Sequence, residues 1–226
     1  MEIDSGLFIV GTPIGNLEDI SFRAINTLKN VDLILAEDTR HTKKLTLRYK
    51  IKTKLLSCHK FNEVKKSNEI ITQLKNGKSI ALVSDSGMPN ISDPGGRLID
   101  ICRKEGVNIT SIPGPTALTT ALAMTGYYKN GFIFCGFLPH KSGGRKKEIE
   151  RWMKCDRPVI FYESPYRLIK LLNEIEKYLG KETKLFVFRE LTKKFEECSH
   201  GTPSEILCSY ENRKVKGEIV VILMPK

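Results

Sequence analysis

The hydrophobic pattern of the first half of the chain predicts strands that alternate with helices. Short apolar runs, typical of buried strands, occur at residues 7–10, 33–36, 55–58, 80–83 and 108–112. Two intervening segments, 21–29 and 68–75, place apolar residues at helical spacing. This alternation predicts an α/β fold with a largely parallel sheet.

A second set of elements follows the break TGYYKNG at residues 125–131, whose Gly, Asn and Lys content is typical of a linker. Strands are expected at 132–136, 159–162, 185–188 and 218–223, and a strongly amphipathic helix at 167–179. We therefore expect two α/β lobes, an N-terminal one at 1–127 and a C-terminal one at 128–226. The alternative is a long loop inside one domain.

Three polar loops follow predicted strands: GTPIGNL at 11–17, SDSGMPNISDPGG at 84–96 and PGPTAL at 113–118. The first is neither a G-x-G-x-x-G motif nor a P-loop. A single loop of this composition is equally well explained as a stiff turn. However, the carboxyl ends of parallel strands lie at one edge of the sheet, and ligands of such sheets bind at that edge. Three such loops favour a small ligand of mixed polarity, with Asp85 meeting hydroxyls or an ammonium and Met88 lining an apolar ring.

Composition narrows the partners and the compartment. The 226 residues carry a formal net charge of +11, which favours nucleic acid or an anionic membrane, although a soluble surface with spare lysines explains it too. The six cysteines form no C-x-x-C pair, so we expect reduced packing residues and no metal site. The acidic start is unlike a signal peptide, and no apolar run approaches the ~20 residues of a membrane span. A cytoplasmic protein is expected.

Eight motifs occur in order along almost the whole chain: VGTPIGNLEDISFRA, AEDTRHT, LVSDSGMPNISDPG, IPGPTALTTAL, GFLP, FYESPYRL, RELTKKFEE and KGEIVVIL. Together they resemble the bacterial small-subunit ribosomal RNA cytidine 2′-O-methyltransferases, within the tetrapyrrole-methylase superfamily of class III S-adenosylmethionine (SAM) enzymes. The resemblance implies two α/β lobes with SAM in the cleft between them, usually in a homodimer. It implies methyl transfer to the ribose 2′-hydroxyl of a decoding-centre cytidine in 16S rRNA of the small ribosomal subunit.

The resemblance also implies the residues that contact SAM: Pro13, Asp85, Ser86, Met88, Thr116, Ala117, Tyr162, Gly217 and Glu218. Ser86 and Met88 depart from the commoner SDAGTP pattern, but a thioether still suits an adenine neighbour.

A ribose hydroxyl is a weak nucleophile, so a base or a stabilised alkoxide should contribute. The candidate catalytic residues are Glu163, Asp38 and Lys193. A salt bridge with Arg40 or Arg189 is an equally plain role for each carboxylate. Lys193 acts as a base only if burial lowers its pKa; as a charged ammonium it would stabilise an alkoxide or hold a phosphate.

RNA is expected to be held by basic residues and by a mobile positive loop at 140–147, with a flipped cytidine on Tyr162 or Tyr166. The alternatives are an ordinary exposed loop and two tyrosines that belong to the core. The candidate RNA-binding residues are Arg40, Lys43, Arg145, Lys146, Arg189 and Lys194. Two other functions stay open: a small-molecule methylase of the same superfamily acting on a tetrapyrrole, and an RNA-binding protein that has lost SAM.

Overall fold

The computed structural model describes residues 3–127, 131–211 and 213–225. The chain divides into two compact units, Met1–Thr116 and Ala117–Lys226. The boundary predicted between 127 and 128 stays a prediction, because the break at 125–131 includes residues outside the described ranges. Within those ranges, no helix combines the length and apolar composition needed to cross a bilayer.

The first unit is a parallel sheet with helices on both faces, as the alternating pattern predicted. Its strands are β1 (Gly6–Val10), β2 (Leu33–Ala36), β3 (Leu55–Ser57), β4 (Ser79–Val83) and β5 (Ile109–Ile112). They lie in the order β3-β2-β4-β1-β5, and each neighbouring pair is parallel. The helices are α1 (Phe22–Asn30), α2 (Thr39–Arg48), α3 (Glu63–Lys75) and α4 (Gly96–Lys104).

Two apolar cores form because alternate strand residues face opposite sides of this sheet. On β4, Ala81 and Val83 belong to the core that includes Leu28 of α1. Ile80 and Leu82 belong to the core that includes Ile70 of α3. Burial on both faces explains why these strands are continuous apolar runs instead of alternating ones.

The second unit contains a mixed sheet. Its strands are β6 (Ile133–Phe137), β7 (Val159–Glu163), β8 (Leu185–Arg189), β9 (Glu197–Gly201) and β10 (Ile219–Leu223), in the order β6-β7-β10-β8-β9. Strand β10 is antiparallel to β7 and β8, whereas β6 and β7 are parallel. The helices are α5 (Ala117–Met124), α6 (Ser142–Arg151), α7 (Leu168–Leu179) and α8 (Pro203–Tyr210). The apolar face of α7 packs on the largest core cluster of this unit.

Helices α2 and α6 and strand β9 are among the elements that were not predicted from the sequence. Helix α2 begins after Asp38, whose side chain accepts a hydrogen bond from the Arg40 amide, and Leu45 is its one buried apolar residue, beside Thr42 and Thr46. Helix α6 replaces the expected mobile loop at 140–147 because Arg145 and Ile149, one helical turn apart, are both buried. Strand β9 has the polar sequence ECSHG and pairs with β8 at the sheet edge.

Candidate active site

Three loops meet at one edge of the first sheet, as the sequence predicted, because β4, β1 and β5 are neighbours. Thr12 and Gly87 exchange two backbone hydrogen bonds of 2.9 and 3.1 Å. A Cβ atom at Gly11 would lie 2.6 Å from the Met88 sulfur and 2.7 Å from the Gly114 Cα atom. Only glycine permits this approach, so the three loops form one contiguous surface.

The loop at 84–96 is held rigidly in an uncommon conformation. The Thr12 hydroxyl donates to the Ser84 carbonyl at 3.2 Å, and the Ser84 hydroxyl donates to the Gly87 carbonyl at 3.2 Å. Asn90 and Ser92 both have φ of 68°, in the left-handed region that favours glycine. Such conformations persist only where the surroundings enforce them, and they cluster at functional sites.

The expected SAM-contacting residues of this unit lie along these loops. Pro13 is buried directly after Thr12, while Ser86 and Met88 are half-buried. Thr116 is the last residue of the first unit, and Ala117 opens α5 in the second unit.

An acidic cluster joins the β2 loop to the β4 loop. The Asp38 amide donates to Asp85 Oδ1 at 3.0 Å. Burial raises the pKa of Glu37, and the charges of Asp93 and Asp85 raise it further. Sequence reasoning did not select Glu37 as a site residue, although it is the second residue of the quoted motif AEDTRHT. The cluster concentrates negative charge at the edge where the three loops meet.

Asp38 is a capping residue with a strong cationic partner. It accepts from the Arg40 amide at 2.8 Å and pairs with the exposed Arg40 guanidinium at 2.7 Å. Hydrogen bonds from the Arg40 side chain and amide lower the pKa of Asp38 to about 2. A carboxylate this acidic is a poor base at neutral pH, and the contact with Arg40 is the salt bridge that the sequence analysis left open as the alternative.

In the second unit, one sheet edge gathers the remaining candidates. Strands β6, β7 and β8 run in the same direction, and β10 runs opposite to them. The carboxyl ends of β6, β7 and β8 therefore lie at the same edge as the amino end of β10. Glu163 ends β7, Lys193 follows β8, and Gly217 and Glu218 precede β10.

Glu163 is a fully buried carboxylate at this edge. Its Oε1 atom accepts from the Ser164 amide at 2.6 Å and pairs with Arg167 Nη2 at 2.6 Å. The partner is Arg167, one helical turn on, and not Arg40 or Arg189 as weighed from the sequence. Among the described residues, neither Glu163 Oε2 nor Arg167 Nε has a hydrogen-bond partner. A buried carboxylate oxygen without a partner is free to accept a proton or a hydrogen bond.

Tyr162 precedes Glu163 and points to the opposite face of the sheet. Its ring packs edge-to-face against Phe134, at 5.1 Å between centroids, and against Phe137, at 5.6 Å. The half-buried ring therefore forms an aromatic surface on this face.

Lys193 lies between two carboxylates, 2.9 Å from Glu190 and 3.1 Å from Glu218. Burial by itself lowers the pKa of Lys193, but the hydrogen bonds and charges of these carboxylates outweigh burial and raise it. The raised pKa favours the ammonium form, which is the alternative in which Lys193 stabilises an alkoxide or holds a phosphate.

Glu190, which sequence reasoning missed, holds the start of β10. It has a left-handed φ of 54°, and its side chain accepts from the Glu218 amide at 2.9 Å. Gly217, with φ of 94°, leaves the space that the Glu190 side chain fills. The available signal was the Glu190–Lys193 spacing of one helical turn.

The basic candidates divide into exposed and buried residues. Arg40, Lys43, Lys146 and Lys194 are exposed. Arg145 is only 2% exposed, and its guanidinium binds Glu174 and the carbonyls of Pro139 and His140. Arg189 is largely buried and pairs with Glu197 at 2.9 Å. The structure thus corrects Arg145 and Arg189, because neither presents a free guanidinium to RNA.

Comparison with known proteins assigns this arrangement to a family. The sequence profile of the tetrapyrrole (corrin/porphyrin) methylases matches residues 6–207. A ribosomal RNA small subunit methyltransferase I of Thermotoga maritima is 47% identical, over 97% of this chain and 98% of that protein. A protein of the same name from Bacillus subtilis is 45% identical, over 96% of this chain and 74% of that protein.

The fold is also similar to that of a solved methyltransferase structure. The uroporphyrin-III C-methyltransferase of Thermus thermophilus, in complex with S-adenosylhomocysteine, matches with a TM-score of 0.68 and 15% identity. The match covers 96% of each chain. At this identity the likeness shows a shared fold.

Proposed function

This chain belongs to the tetrapyrrole (corrin/porphyrin) methylases, and from that membership we propose that it methylates the RNA of the small ribosomal subunit with SAM as methyl donor. The accepting group is the ribose 2′-hydroxyl of a decoding-centre cytidine in 16S rRNA. The observation that carries the proposal is the 47% identity with a ribosomal RNA small subunit methyltransferase I along nearly the whole of both chains. The ordered motifs from GTPIGNLEDI to RELTK support the same branch of the family.

The residues of the first unit fit SAM. Glu37, Asp85 and Asp93 concentrate negative charge, and burial with like charges raises the pKa of Glu37. Such a cluster favours a ligand that carries positive charge, and SAM carries a sulfonium and an ammonium. Met88 beside Gly11 and Gly114 adds a soft apolar surface for an adenine. Pro13, Ser86, Thr116, Ala117, Tyr162, Gly217 and Glu218 complete the proposed contacts.

SAM, when bound, supplies an electrophilic methyl group, so the protein must orient the acceptor oxygen and manage its proton. Reacting atoms must be held about 3–3.5 Å apart in line. We assign proton acceptance to Glu163, whose Oε2 atom is buried without a partner. Arg167, 2.6 Å from the other oxygen of that carboxylate, fixes its orientation.

Two other candidates take supporting roles. Lys193, held as an ammonium by Glu190 and Glu218, stabilises negative charge on the acceptor oxygen or binds a phosphate. Asp38 positions the exposed Arg40. RNA phosphates are contacted by Arg40, Lys43, Lys146 and Lys194.

The test is incubation of the protein with tritiated SAM and small ribosomal subunits from a strain that lacks the modification. Label in the ribose of one cytidine is the expected result. Retained SAM binding without RNA labelling favours the tetrapyrrole methylase, and absence of SAM binding favours a non-catalytic RNA-binding protein. The resemblance also leads us to propose a cytoplasmic homodimer, which sedimentation at several concentrations tests.

The role of Glu163 has its own test. Glu163→Gln should lower turnover more than SAM affinity, because it keeps the shape and removes the basic oxygen. Glu63→Gln is the matched comparison, since that carboxylate is also buried, accepts from the Leu98 amide and lies outside the proposed site. Wild-type turnover of Glu163→Gln at saturating RNA would remove Glu163 from the mechanism.

A further inference from the structure

At one edge of the second sheet, an exposed aromatic residue lies at or just after the carboxyl end of each of three strands. Phe137 ends β6, Tyr166 lies between β7 and α7, and Phe195 lies between β8 and β9. Because β6, β7 and β8 run in the same direction, these loops open at the same edge. The three residues are 58%, 85% and 65% exposed. Rings this exposed contribute little to the core and are accessible to a ligand.

Unpaired cations accompany the rings. Lys194 Nζ lies 5.6 Å from the centre of the Phe195 ring. Within the described ranges, four exposed lysines of this edge have no carboxylate at ion-pair distance: Lys141, Lys194, Lys214 and Lys216.

Four carboxylates of the same edge already have a cationic partner, whereas the exposed Glu196 and Glu211 have none at ion-pair distance among the described residues. Glu163 pairs with Arg167, and Glu190 and Glu218 share Lys193. Arg189 and Arg213 both bind Glu197, while Glu196 accepts a hydrogen bond from the Thr192 amide. The charge left exposed is therefore mainly positive, which is complementary to a polyanion.

We propose that Phe137, Tyr166 and Phe195 form a base-stacking surface for single-stranded RNA, with the four unpaired lysines contacting its phosphates. Proteins that bind single strands combine aromatic rings for the bases with cations for the backbone. Phe137 packs on Tyr162 at 5.6 Å, so this surface continues to a residue proposed to contact SAM. The inference rests on the proposed function, because it names how the substrate RNA flanking the target cytidine is held.

The test measures affinity for a fluorescein-labelled single-stranded RNA of decoding-region sequence by anisotropy. Phe195→Leu and Tyr166→Leu should each raise Kd roughly tenfold, the loss expected for one stacked base. The slope of log K against log salt should stay unchanged, because no charge is removed. Lys216→Gln should instead reduce that slope by about 0.7, as expected for one phosphate on a single strand. The matched control is Phe22→Leu in the first unit, where Phe22 is 88% exposed; its Kd should equal that of the wild type.

A direct signature of stacking comes from Phe195→Trp. Its emission should be quenched when RNA is added, whereas the emission of Phe22→Trp should not. The native Trp152 is buried against Phe161 and supplies a constant background.

Wild-type Kd for the aromatic variants, or an unquenched Phe195→Trp, overturns the proposal. The proposal is also overturned if the aromatic variants change the sedimentation coefficient but not the RNA affinity, because the surface then joins two copies of the chain. Methyl transfer by the wild type is scored separately on small ribosomal subunits. Transfer without aromatic-dependent binding refutes this inference alone, and aromatic-dependent binding without transfer refutes the proposed methylation alone.

Discussion

Replacing Arg145 by methionine distinguishes a buried structural arginine from an exposed phosphate-binding one. The guanidinium makes two hydrogen bonds to Glu174 and donates to the carbonyls of Pro139 and His140 at 3.1 and 3.0 Å. Arg145→Met removes all four bonds while retaining a side chain of similar length. It leaves Glu174, which is 13% exposed, as an unpaired carboxylate.

The expected cost follows from that unpaired charge. Removing one partner of a buried ion pair destabilises a protein by about 3–5 kcal/mol. For a chain of this size, each kcal/mol lowers Tm by about 2–4 °C. The transition that includes the second unit should therefore move down by roughly 10 °C in calorimetry, with a parallel loss of urea midpoint.

The double variant Arg145→Met/Glu174→Leu supplies the internal control. Apolar replacement of a whole buried pair is often neutral, so the double variant should recover most of the stability that the single variant loses. The resulting coupling between the two substitutions identifies the pair, and not the volume of either side chain, as the origin of the loss.

A variant of an exposed lysine should show the opposite pattern, with unchanged stability and altered RNA binding. Lys146→Gln, at the next position and exposed, should leave the free energy of unfolding within about 0.5 kcal/mol of that of the wild type and reduce the salt dependence of RNA affinity, because Lys146 is a proposed phosphate contact. A wild-type Tm for Arg145→Met, together with a reduced salt slope, would refute the structural reasoning and restore Arg145 as a phosphate contact.

Three further predictions concern loop packing, pH and thiol reactivity. Gly11→Ala should lower the free energy of unfolding by about 1–3 kcal/mol through overpacking and weaken SAM binding in calorimetry, because its Cβ would meet the neighbouring loops. The control Gly143→Ala, whose Cβ would have nothing within 4 Å, should raise the free energy of unfolding by about 0.5–1 kcal/mol. Equal SAM affinity in the two variants would contradict the packing. Since the folded-state pKa of Glu37 is raised above its ordinary value of 4.5, the ionised carboxyl costs stability at neutral pH. Glu37→Gln should therefore raise Tm at pH 7, with the gain disappearing as pH falls through the folded-state pKa; a gain that persists in acid would exclude this cause. Burial raises the pKa of Cys58 and Cys102 to about 11, so a thiol reagent at pH 8 should label the exposed cysteines and spare this pair until the protein unfolds, as peptide mapping would show.

The sequence determined the alternating elements of the first unit because each carries its own periodic signal. Residues 80–83 form an apolar run between polar segments, and the structure places them in β4. The loops after β1, β4 and β5 were predicted to share an edge, since carboxyl ends of parallel strands do so, and they are in contact.

The failures lie where a short or polar segment is stabilised by partners distant in the chain. The glycine-rich, basic segment at 140–147 favours a loop by composition. A buried ion pair between Arg145 and Glu174, which are 29 residues apart, makes it helical. The polar strand β9 owes its existence to pairing with β8 and has no period of its own to detect.

The chemistry of the candidate residues divides in the same way. The sequence shows which side chains bear charge: Glu163, Asp38 and Lys193 were all visible as candidates. Only the tertiary structure decides their protonation, because pKa depends on burial and on neighbouring charges within a few ångströms. Arg40 lowers the pKa of Asp38 to about 2, whereas Glu163 keeps one buried oxygen without a partner among the described residues. Covalent sequence fixes the type of each group, and the fold fixes the electric and hydrogen-bonding environment in which that group reacts.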